Sequence, residues 1–314
     1  MNSFLSHPGV ATVLKIIISI VLIAALLYYI DITAIVESFQ NADALYLMAG
    51  FALAVFQLII HVYRWRYLLR LISREISTTE AITSFFVGFT AGFFTPAQVG
   101  EFAGRIASHP NINKSHIVGI TVVDKLYWAA LTIVIGGSGV VVFIANYFPE
   151  YWNPFYQYPM TFVFGLIIAV FLYPEKVKEI LKVLPEKIRG HRFYEMIQVI
   201  EDVFHNKNGW MLFFLTSLLY GVILLEYYFL TNAFQPVALN DVVMCAASVL
   251  FVKAVILPIS FGDLGVRESA AVFFFERVDV IAAVAFNASL IMSFANVIIP
   301  TAIGALLVTK LKRT

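Results

Sequence analysis

The sequence is poor in charge, in cysteine and in clustered histidine, and each shortage excludes a class of protein. Only 13% of its 314 residues are Asp, Glu, Lys or Arg, about half the share found in soluble globular chains. The net charge of +1 provides no basic excess for binding nucleic acid. The single cysteine, Cys245, excludes an internal disulfide, and the six scattered histidines suggest no metal site.

Apolar residues dominate instead, at 61% of the chain with a mean hydropathy of +0.86. This composition predicts an all-α polytopic membrane protein. The first apolar run exceeds the core of a signal peptide and lacks a convincing cleavage site, which favours an uncleaved anchor helix. About six full spans are predicted, at residues 11–30, 44–62, 116–145, 158–173, 209–230 and 280–308.

Lysine and arginine cluster after the second span, in the loop 174–208 and at the carboxyl end. By the positive-inside rule all three clusters are cytoplasmic, as is the amino terminus. Apolar residues in the loop follow helical spacing on both sides of Arg189 and Gly190. This spacing predicts two amphipathic helices on the inner membrane surface, with a solvated linker as the alternative.

Two further apolar stretches, residues 81–107 and 242–276, are interrupted by proline, glycine and charged residues. If the first crossed the membrane fully, the basic loop 174–208 would fall outside, against the positive-inside rule. Each stretch is therefore predicted to be a re-entrant hairpin, the first entering from the cytoplasm and the second from the outside.

The interruptions of the two hairpins match in residue type and spacing. Pro96, Gly100, Glu101 and Arg105 recur later in the chain, all at one constant offset. Their counterparts are Pro258, Gly262, Asp263 and Arg267. The same offset pairs Arg64 with Glu226 in the preceding spans. Inverted repeats with broken helices are common in secondary transporters, so the pattern predicts repeats at 44–145 and 209–308 within one membrane domain.

Capping signals predict that a half-helix begins inside each hairpin. Thr95 precedes Pro96, and Gln98 lies three residues after Thr95, as in a capping box. In the second hairpin, Ser260 and Asp263 have the same spacing. Each half-helix would direct its positive end at a phosphate or another anion.

Charged residues four apart share a helix face, which predicts the pairs Glu101–Arg105 and Asp263–Arg267. Each pair either neutralises itself and fixes the hairpin tip or holds an arginine ready for a phosphate, and the two roles are compatible. Other polar residues in the apolar segments are predicted to face the protein interior or to bond between helices, although Glu226 could snorkel to the outer surface. These are Asp124, Lys125, Glu226, Lys253, Asn287 and Asn296.

Three segments together resemble one membrane family. They are Arg64 to Leu69, Gly88 to Pro96 with Gly100, Glu101 and Arg105, and Gly262 to Glu268. They resemble the membrane region of lysylphosphatidylglycerol synthases and its stand-alone, flippase-like relatives. The resemblance implies a protein that moves an anionic or phosphate-bearing lipid between leaflets. Because the chain ends at Thr314, without the soluble aminoacyl-transferase domain, lysyl-lipid synthesis is not expected. Asp124-Lys125 departs from the acid followed by arginine that the family would place there.

The predicted function is therefore a lipid translocase of the cell membrane with no enzymatic chemistry, metal or cofactor, and with anionic membrane lipids as partners. A transporter of a small anion or ion and a membrane-embedded transferase acting on a lipid-linked substrate are the alternatives. The predicted substrate-binding residues are Thr95, Pro96, Gly100, Glu101, Arg105, Asp124, Lys125, Ser260, Gly262, Asp263, Arg267 and Glu268.

Overall fold

The computed structural model describes residues 8–95, 98–153, 155, 165, 191–204, 207–256 and 263–311. The regular structure in these residues is helical, as the composition predicts. The first seven helices are α1 Pro8–Tyr29, α2 Ile32–Gln40, α3 Ala44–Ile72, α4 Thr78–Phe93, α5 Val99–Ala107, α6 Lys114–Leu131 and α7 Gly137–Tyr147. The others are α8 His191–Phe204, α9 Lys207–Asn232, α10 Leu239–Val255, α11 Val266–Glu276, α12 Ala282–Ser293 and α13 Ile299–Leu311.

Four helical segments of the described residues are long and apolar enough to cross a membrane. A fifth crossing results if the bent pair formed by residues 16–29 and 32–40, which turns through 82°, counts as one span. The predicted span 158–173 lies outside the described residues apart from residue 165, so the predicted count of six stays a prediction. The four segments are Ala44–Ile72, Lys114–Tyr147, Asn208–Asn232 and Ala282–Thr309.

The structure differs from the predicted connections on either side of the second span. The expected loop between the first two spans contains α2, whose first turn is capped by Asp31 through a bond from the backbone N–H of Thr33, at 2.9 Å. Helix α3 continues well beyond its predicted end at 62, to Ile72. Arg64 therefore lies inside a helix and is buried, so it is not one of the loop charges that report topology.

Both interrupted stretches form a pair of helices that pack against each other, α4 with α5 and α10 with α11. Helices α4 and α5 approach closely because glycine lies at their contact. A Cβ at Gly100 would collide with the backbone carbonyl of Ala91, and one at Gly88 would lie 2.7 Å from Cγ of Arg105. The helical part of each predicted hairpin is thus confirmed, and their orientation in the membrane stays a prediction.

The order of elements recurs along the chain. A long helix, a helix pair and a second long helix occur as α3 to α7 and again as α9 to α13. In both cases the second long helix contains a π-helical segment, at Thr132–Gly136 and at Phe294–Ile298. The number of residues that separates these two segments is the same as the number that separates Pro96 from Pro258. The packing is also reciprocal, since α4 contacts α13 while α10 contacts α7, and α3 contacts α9.

The predicted amphipathic segment is described only in part. Residues 191–204 form α8, which packs on α6 through the buried residues Val199 and Val203. The first of the two predicted amphipathic helices lies outside the described residues. Packing of α8 on the helical core favours the amphipathic-helix prediction over a solvated linker for this half of the loop.

Candidate functional site

A cavity of about 210 Å³ lies where the two helix pairs meet the long helices. Five cationic side chains and three carboxylates line it, so the formal charge of its lining is +2 with His61 neutral. Charged residues of both interrupted stretches converge there, from positions far apart in the sequence. These lining residues are Arg64, Arg105, Lys125, Lys253 and Arg267, with Glu101, Asp124 and Asp263.

Asp124 of α6 binds two buried arginines. Its Oδ1 accepts from Nη2 of Arg64 at 2.5 Å, and its Oδ2 accepts from Nη2 of Arg105 at 3.1 Å. Arg64 also donates from Nη1 to Oγ1 of Thr216 at 3.2 Å, which ties α9 to the same group. Asp124 thus contacts the first interrupted stretch through Arg105 and also lines the cavity.

Glu101 of α5 also binds Arg105, and it binds Lys125 as well. Its Oε1 lies 2.5 Å from Nη2 of Arg105, which confirms the predicted pair four residues apart. Its Oε2 accepts from Nζ of Lys125 at 2.6 Å, and Lys125 also donates to Gln98 at 3.1 Å. The side chain of Lys125 is 34% exposed, so this pair lies at the wetter edge of the network.

Arg105 packs on an aromatic ring, and only some of its hydrogen-bond donors have partners. Its Cζ lies 3.8 Å from the ring centroid of Trp65, a cation–π distance. The Trp65 ring is fixed in turn because its Nε1 donates to Oγ of Ser84 at 2.8 Å. Nε and Nη1 of Arg105 have no hydrogen-bond partner among the described residues, although the side chain is 2% exposed. Buried donors without a protein partner at a cavity wall suit an anionic ligand.

The start of α5 differs from the predicted cap. The helix begins at Val99, and Gln98 before it adopts a left-handed conformation with φ of 56°, so Gln98 is not the third helical residue. Thr95 still caps the helix, because its Oγ1 accepts from the backbone N–H of Gly100 at 2.7 Å. The hydroxyl of Thr95 is therefore committed to the backbone. Pro96 lies outside the described residues.

The second stretch departs further from its prediction. Its helix begins at Val266, so Asp263 lies before the helix, with φ of 61°, and cannot share a helix face with Arg267. Asp263 instead pairs with Lys253 at 3.2 Å. Glu268 caps the helix by accepting from the backbone N–H of Gly265 at 2.7 Å. Ser260 and Gly262 lie outside the described residues, and the predicted pairing of Asp263 with Arg267 is wrong.

A second buried network lies behind Arg267. Both carboxylate oxygens of Glu226 accept from Nδ2 of Asn296 at 2.8 Å, and Oε1 of Glu268 accepts from Oγ of Ser293 at 2.5 Å. Glu226 and Glu268 are each 0% exposed, so Glu226 does not snorkel to the surface. The predicted helix-to-helix role of Asn287 is confirmed by its bond to the carbonyl of Ile35 at 3.1 Å.

Sequence reasoning missed Trp65 and the pairing of Glu226 with Asn296. The motif Arg64-Trp65-Arg66 marked the region, but a ring beneath Arg105 depends on the packing of α3 against α4 and α5. Among the residues that the structure describes, no three His, Cys, Asp or Glu side chains are grouped to hold a metal ion. The five cationic groups at the cavity are of the kind that binds anions.

A family model described as the lysylphosphatidylglycerol synthase TM region matches residues 12–304. The chain belongs to this family. A UPF0104 membrane protein of Methanocaldococcus jannaschii is 22% identical over 323 aligned positions, which cover 95% of this chain and 94% of the relative. No solved structure matches the chain. Together with its apolar helices, membership of the lysylphosphatidylglycerol synthase TM family makes the chain an integral, multi-pass membrane protein.

Proposed function

We propose that the protein is a lipid translocase that moves an anionic or phosphate-bearing lipid between leaflets, with the head group passing through the cavity. The observation that carries the proposal is the convergence of Arg105 and Arg267, one from each interrupted stretch, on a single lining of formal charge +2. In this proposal the two arginines bind the phosphate and the acyl chains stay in the bilayer. Glu101 and Asp124 hold Arg105, while Asp263 holds Lys253.

The free donors of Arg105 support a phosphate ligand. Asp124 and Glu101 occupy only Nη2 of the guanidinium group, which leaves Nε and Nη1 for a ligand. Guanidinium groups bind phosphate oxygens through parallel, charge-assisted hydrogen bonds. The cavity is too small for a whole phospholipid and suits a head group whose chains remain outside.

The recurring order of elements supports an inverted repeat, in which the two interrupted stretches are re-entrant from opposite sides. The π-helical segments keep the offset that the two motifs share in the sequence. Helices α3 and α9 also match at this offset to within about two residues, as do α4 and α10. Repeats of this kind allow the two halves to rock about a fixed site near the midplane.

A transport assay tests the function. Purified protein is reconstituted into phosphatidylcholine vesicles containing acyl-labelled fluorescent phosphatidylglycerol, and dithionite reports the label that reaches the outer leaflet. Arg105→Ala and Arg267→Ala should each slow transport about tenfold or more, because a charge-assisted hydrogen bond contributes about 1.5–3 kcal/mol. Arg70→Ala, an exposed arginine of α3, is the matched control and should transport at the parental rate. Parental rates for both cavity variants, with normal folding, would overturn the proposal.

A transporter of a small soluble anion is the second candidate, because a cavity of about 210 Å³ also accommodates a free anion. Radiolabelled phosphate trapped in the same vesicles separates the two candidates. Protein-dependent release of phosphate, without movement of the labelled lipid, would favour the small-anion transporter. Movement of the lipid without release of phosphate favours the translocase.

The proposed topology places both termini in the cytoplasm and is tested by labelling single cysteines. Cys245 is buried, with its Sγ donating to the carbonyl of Phe274 at 3.4 Å, so Cys245→Ser retains a donor. In that background, Ala107→Cys and Arg277→Cys place thiols on exposed residues at the ends of the two interrupted stretches. Opposite re-entrant hairpins require labelling from opposite sides. Labelling of both from one side would refute this topology.

A further inference from the structure

Glu226 is a buried carboxylate without a cationic partner. It lies in α9 with 0% exposure, and its only hydrogen-bond donor among the described residues is the amide of Asn296. The ion pairs of the described residues include Asp124, Glu101 and Asp263, but not Glu226. Burying an unpaired charge costs far more than burying a neutral acid, so the environment of Glu226 favours a bound proton.

Asn296, the partner of Glu226, has an unused hydrogen-bond acceptor, to which a protonated Glu226 could donate. Nδ2 of Asn296 lies 2.8 Å from both carboxylate oxygens, while its Oδ1 is buried and has no hydrogen-bond donor among the described residues. A protonated carboxyl group donates one hydrogen bond and accepts another, as a primary amide also does. Protonation of Glu226 therefore allows a reciprocal acid–amide pair in which Asn296 uses both of its groups.

The position of Asn296 connects this pair to the cavity. Asn296 lies in the second π-helical segment and lines the cavity wall, and Glu226 packs directly behind it. π-Helical segments often occur at functional sites, where the extra residue per turn redirects side chains. The carboxyl group is thus one side chain away from the proposed ligand.

Arg267 lines the same cavity as Asn296, and Asn296 is hydrogen-bonded to Glu226, so the positive charge of Arg267 acts on Glu226 from across a single side chain. Most other charged groups around the cavity are already paired, since Arg64 and Arg105 bind Asp124, Lys125 binds Glu101 and Lys253 binds Asp263. The charged and titratable side chains of the cavity lining are His61 and Arg64 of α3, Glu101 and Arg105 of α5, Asp124 and Lys125 of α6, Lys253 of α10, Asp263, and Arg267 of α11. Glu268 of α11 is buried as well.

We propose that Glu226 is a proton-binding site whose occupancy is linked to the binding of a phosphate-type anion in the cavity. An empty cavity leaves the positive charge of Arg267 acting on Glu226, which lowers the fraction of Glu226 that carries a proton. An anion at Arg267 offsets that charge and favours the protonated acid. Linkage is reciprocal, so a proton on Glu226 strengthens anion binding to the same extent. The identity of the ligand rests on the proposed function, whereas the proton site rests on the geometry of Glu226 and Asn296.

The test measures protonation directly and needs no transport. Infrared difference spectra of purified protein in lipid nanodiscs, recorded across a pH titration, report the C=O stretch of protonated carboxyl groups. The parent should show a titrating carboxyl band that Glu226→Gln lacks and that Glu37→Gln, which alters an exposed glutamate of α2, retains. A parent and a Glu226→Gln variant with identical carboxyl bands would overturn the proton site.

The linkage is tested by proton uptake in weakly buffered solution containing a pH-sensitive dye. Nanodiscs with phosphatidylglycerol, nanodiscs with phosphatidylcholine only and added inorganic phosphate form the three arms. We expect uptake of up to about one proton per chain by the parent with phosphatidylglycerol or phosphate. We expect none with phosphatidylcholine alone, and none for Glu226→Gln in any arm. Uptake in the phosphate arm without uptake in the phosphatidylglycerol arm assigns the linkage to a free anion and counts against the lipid ligand. Equal uptake by the parent and Glu226→Gln overturns the linkage whatever the outcome of the lipid transport assay.

Discussion

The two halves of the molecule bury acids in opposite ways. In the first half, Asp124 is bound by two arginines and Glu101 by an arginine and a lysine. In the second half, Asp263 pairs with Lys253, but the fully buried Glu226 and Glu268 accept hydrogen bonds from an amide, a hydroxyl and a backbone N–H. Both halves have the same order of helices, so the difference lies in the side chains rather than in the architecture.

This contrast separates fixed charge from exchangeable charge. Asp124, a buried carboxylate between two arginines, stays ionised, because loss of its charge would leave Arg64 buried without an acidic partner among the described residues and Arg105 with Glu101 alone. A buried acid held by neutral donors tolerates either protonation state at much lower cost. The first half therefore suits a permanent anion-binding framework, and the second half suits a group that changes charge during a transport cycle.

The largest expected effect tests the fixed-charge half. Asp124→Asn removes the carboxylate between Arg64 and Arg105 and leaves two buried cations without their shared partner. We expect a loss of about 3–5 kcal/mol of stability, as for other broken buried ion pairs. Thermal and denaturant unfolding in detergent measures this loss. Asp241→Asn, at a partly buried acid in the first turn of α10 outside the cavity, is the control. A cost below about 1 kcal/mol would show that the network is not essential to the first half.

The second prediction tests whether close helix contact fixes the network. Gly100→Ala places a Cβ against the Ala91 carbonyl and should cost about 1–3 kcal/mol through overpacking. It should also shift Glu101 away from Arg105 and slow transport. Gly221→Ala is the matched control, because its Cβ would meet no atom within 4 Å. The control should be neutral or more stable, since alanine is favoured over glycine within a helix by about 1 kcal/mol. Equal stability of the two variants would contradict the role of close packing at α5.

Sequence patterns predicted the long helices well because their signal is local. Apolar runs identified the four long helical segments to within a few residues, apart from the carboxyl end of α3, where arginine replaces the apolar pattern. The pair Glu101–Arg105 was also predictable, since spacing along one helix determines it. The predicted apolar span stops at 62, just before Arg64, because a charge in a membrane helix becomes acceptable only when a partner such as Asp124 is present.

The contacts between distant segments were not predictable from spacing. The matching motifs suggested equal pairs in both halves, and at their common offset the counterpart of Val99 is Phe261. Helix α5 begins at Val99, but α11 begins later than this counterpart, at Val266. The later start places Asp263 outside its helix and gives the capping role to Glu268.

The acid–amide pair of the second half shows the same limit. Asn296 could be recognised from the sequence as a polar residue in an apolar span. Its partner Glu226 belongs to another helix, so no spacing along one helix connects the two side chains. Only the packing of α9 against the second π-helical segment brings them together.

A smaller effect on stability is expected at the start of each helix pair, where α4 and α10 begin. Ser77 and Glu80 form a capping box at the start of α4. Oγ of Ser77 accepts from the backbone N–H of Glu80 at 3.2 Å, and Oε2 of Glu80 accepts from the backbone N–H of Ser77 at 2.8 Å. Ala238 at the start of α10 has no side-chain cap. Ser77→Ala should therefore cost about 0.5–2 kcal/mol, and Ala238→Ser should stabilise. Unfolding midpoints measure both, and a neutral Ser77→Ala would remove this difference between the halves.

The cost of Ser77→Ala should depend on pH. Hydrogen bonds from the backbone and hydroxyl of Ser77 hold the pKa of Glu80 below its ordinary value of 4.5. A lowered pKa contributes stability that is present above the ordinary value and is lost as the pH falls through the folded-state value. The difference between the parent and Ser77→Ala should therefore be constant near neutral pH and shrink in acid. A difference that grows in acid would contradict the capping role of Glu80.

The smallest expected change is the most informative about the contrast between the halves. Glu226→Gln keeps the shape and the acceptor of a protonated glutamate and adds donors, so it should change stability by less than about 1 kcal/mol. Measured beside Asp124→Asn, the same replacement of an acid by its amide should thus be costly in one half and nearly neutral in the other. If Glu226→Gln destabilises as much as Asp124→Asn, both acids are ionised in the folded protein. The second half would then be a fixed-charge framework like the first.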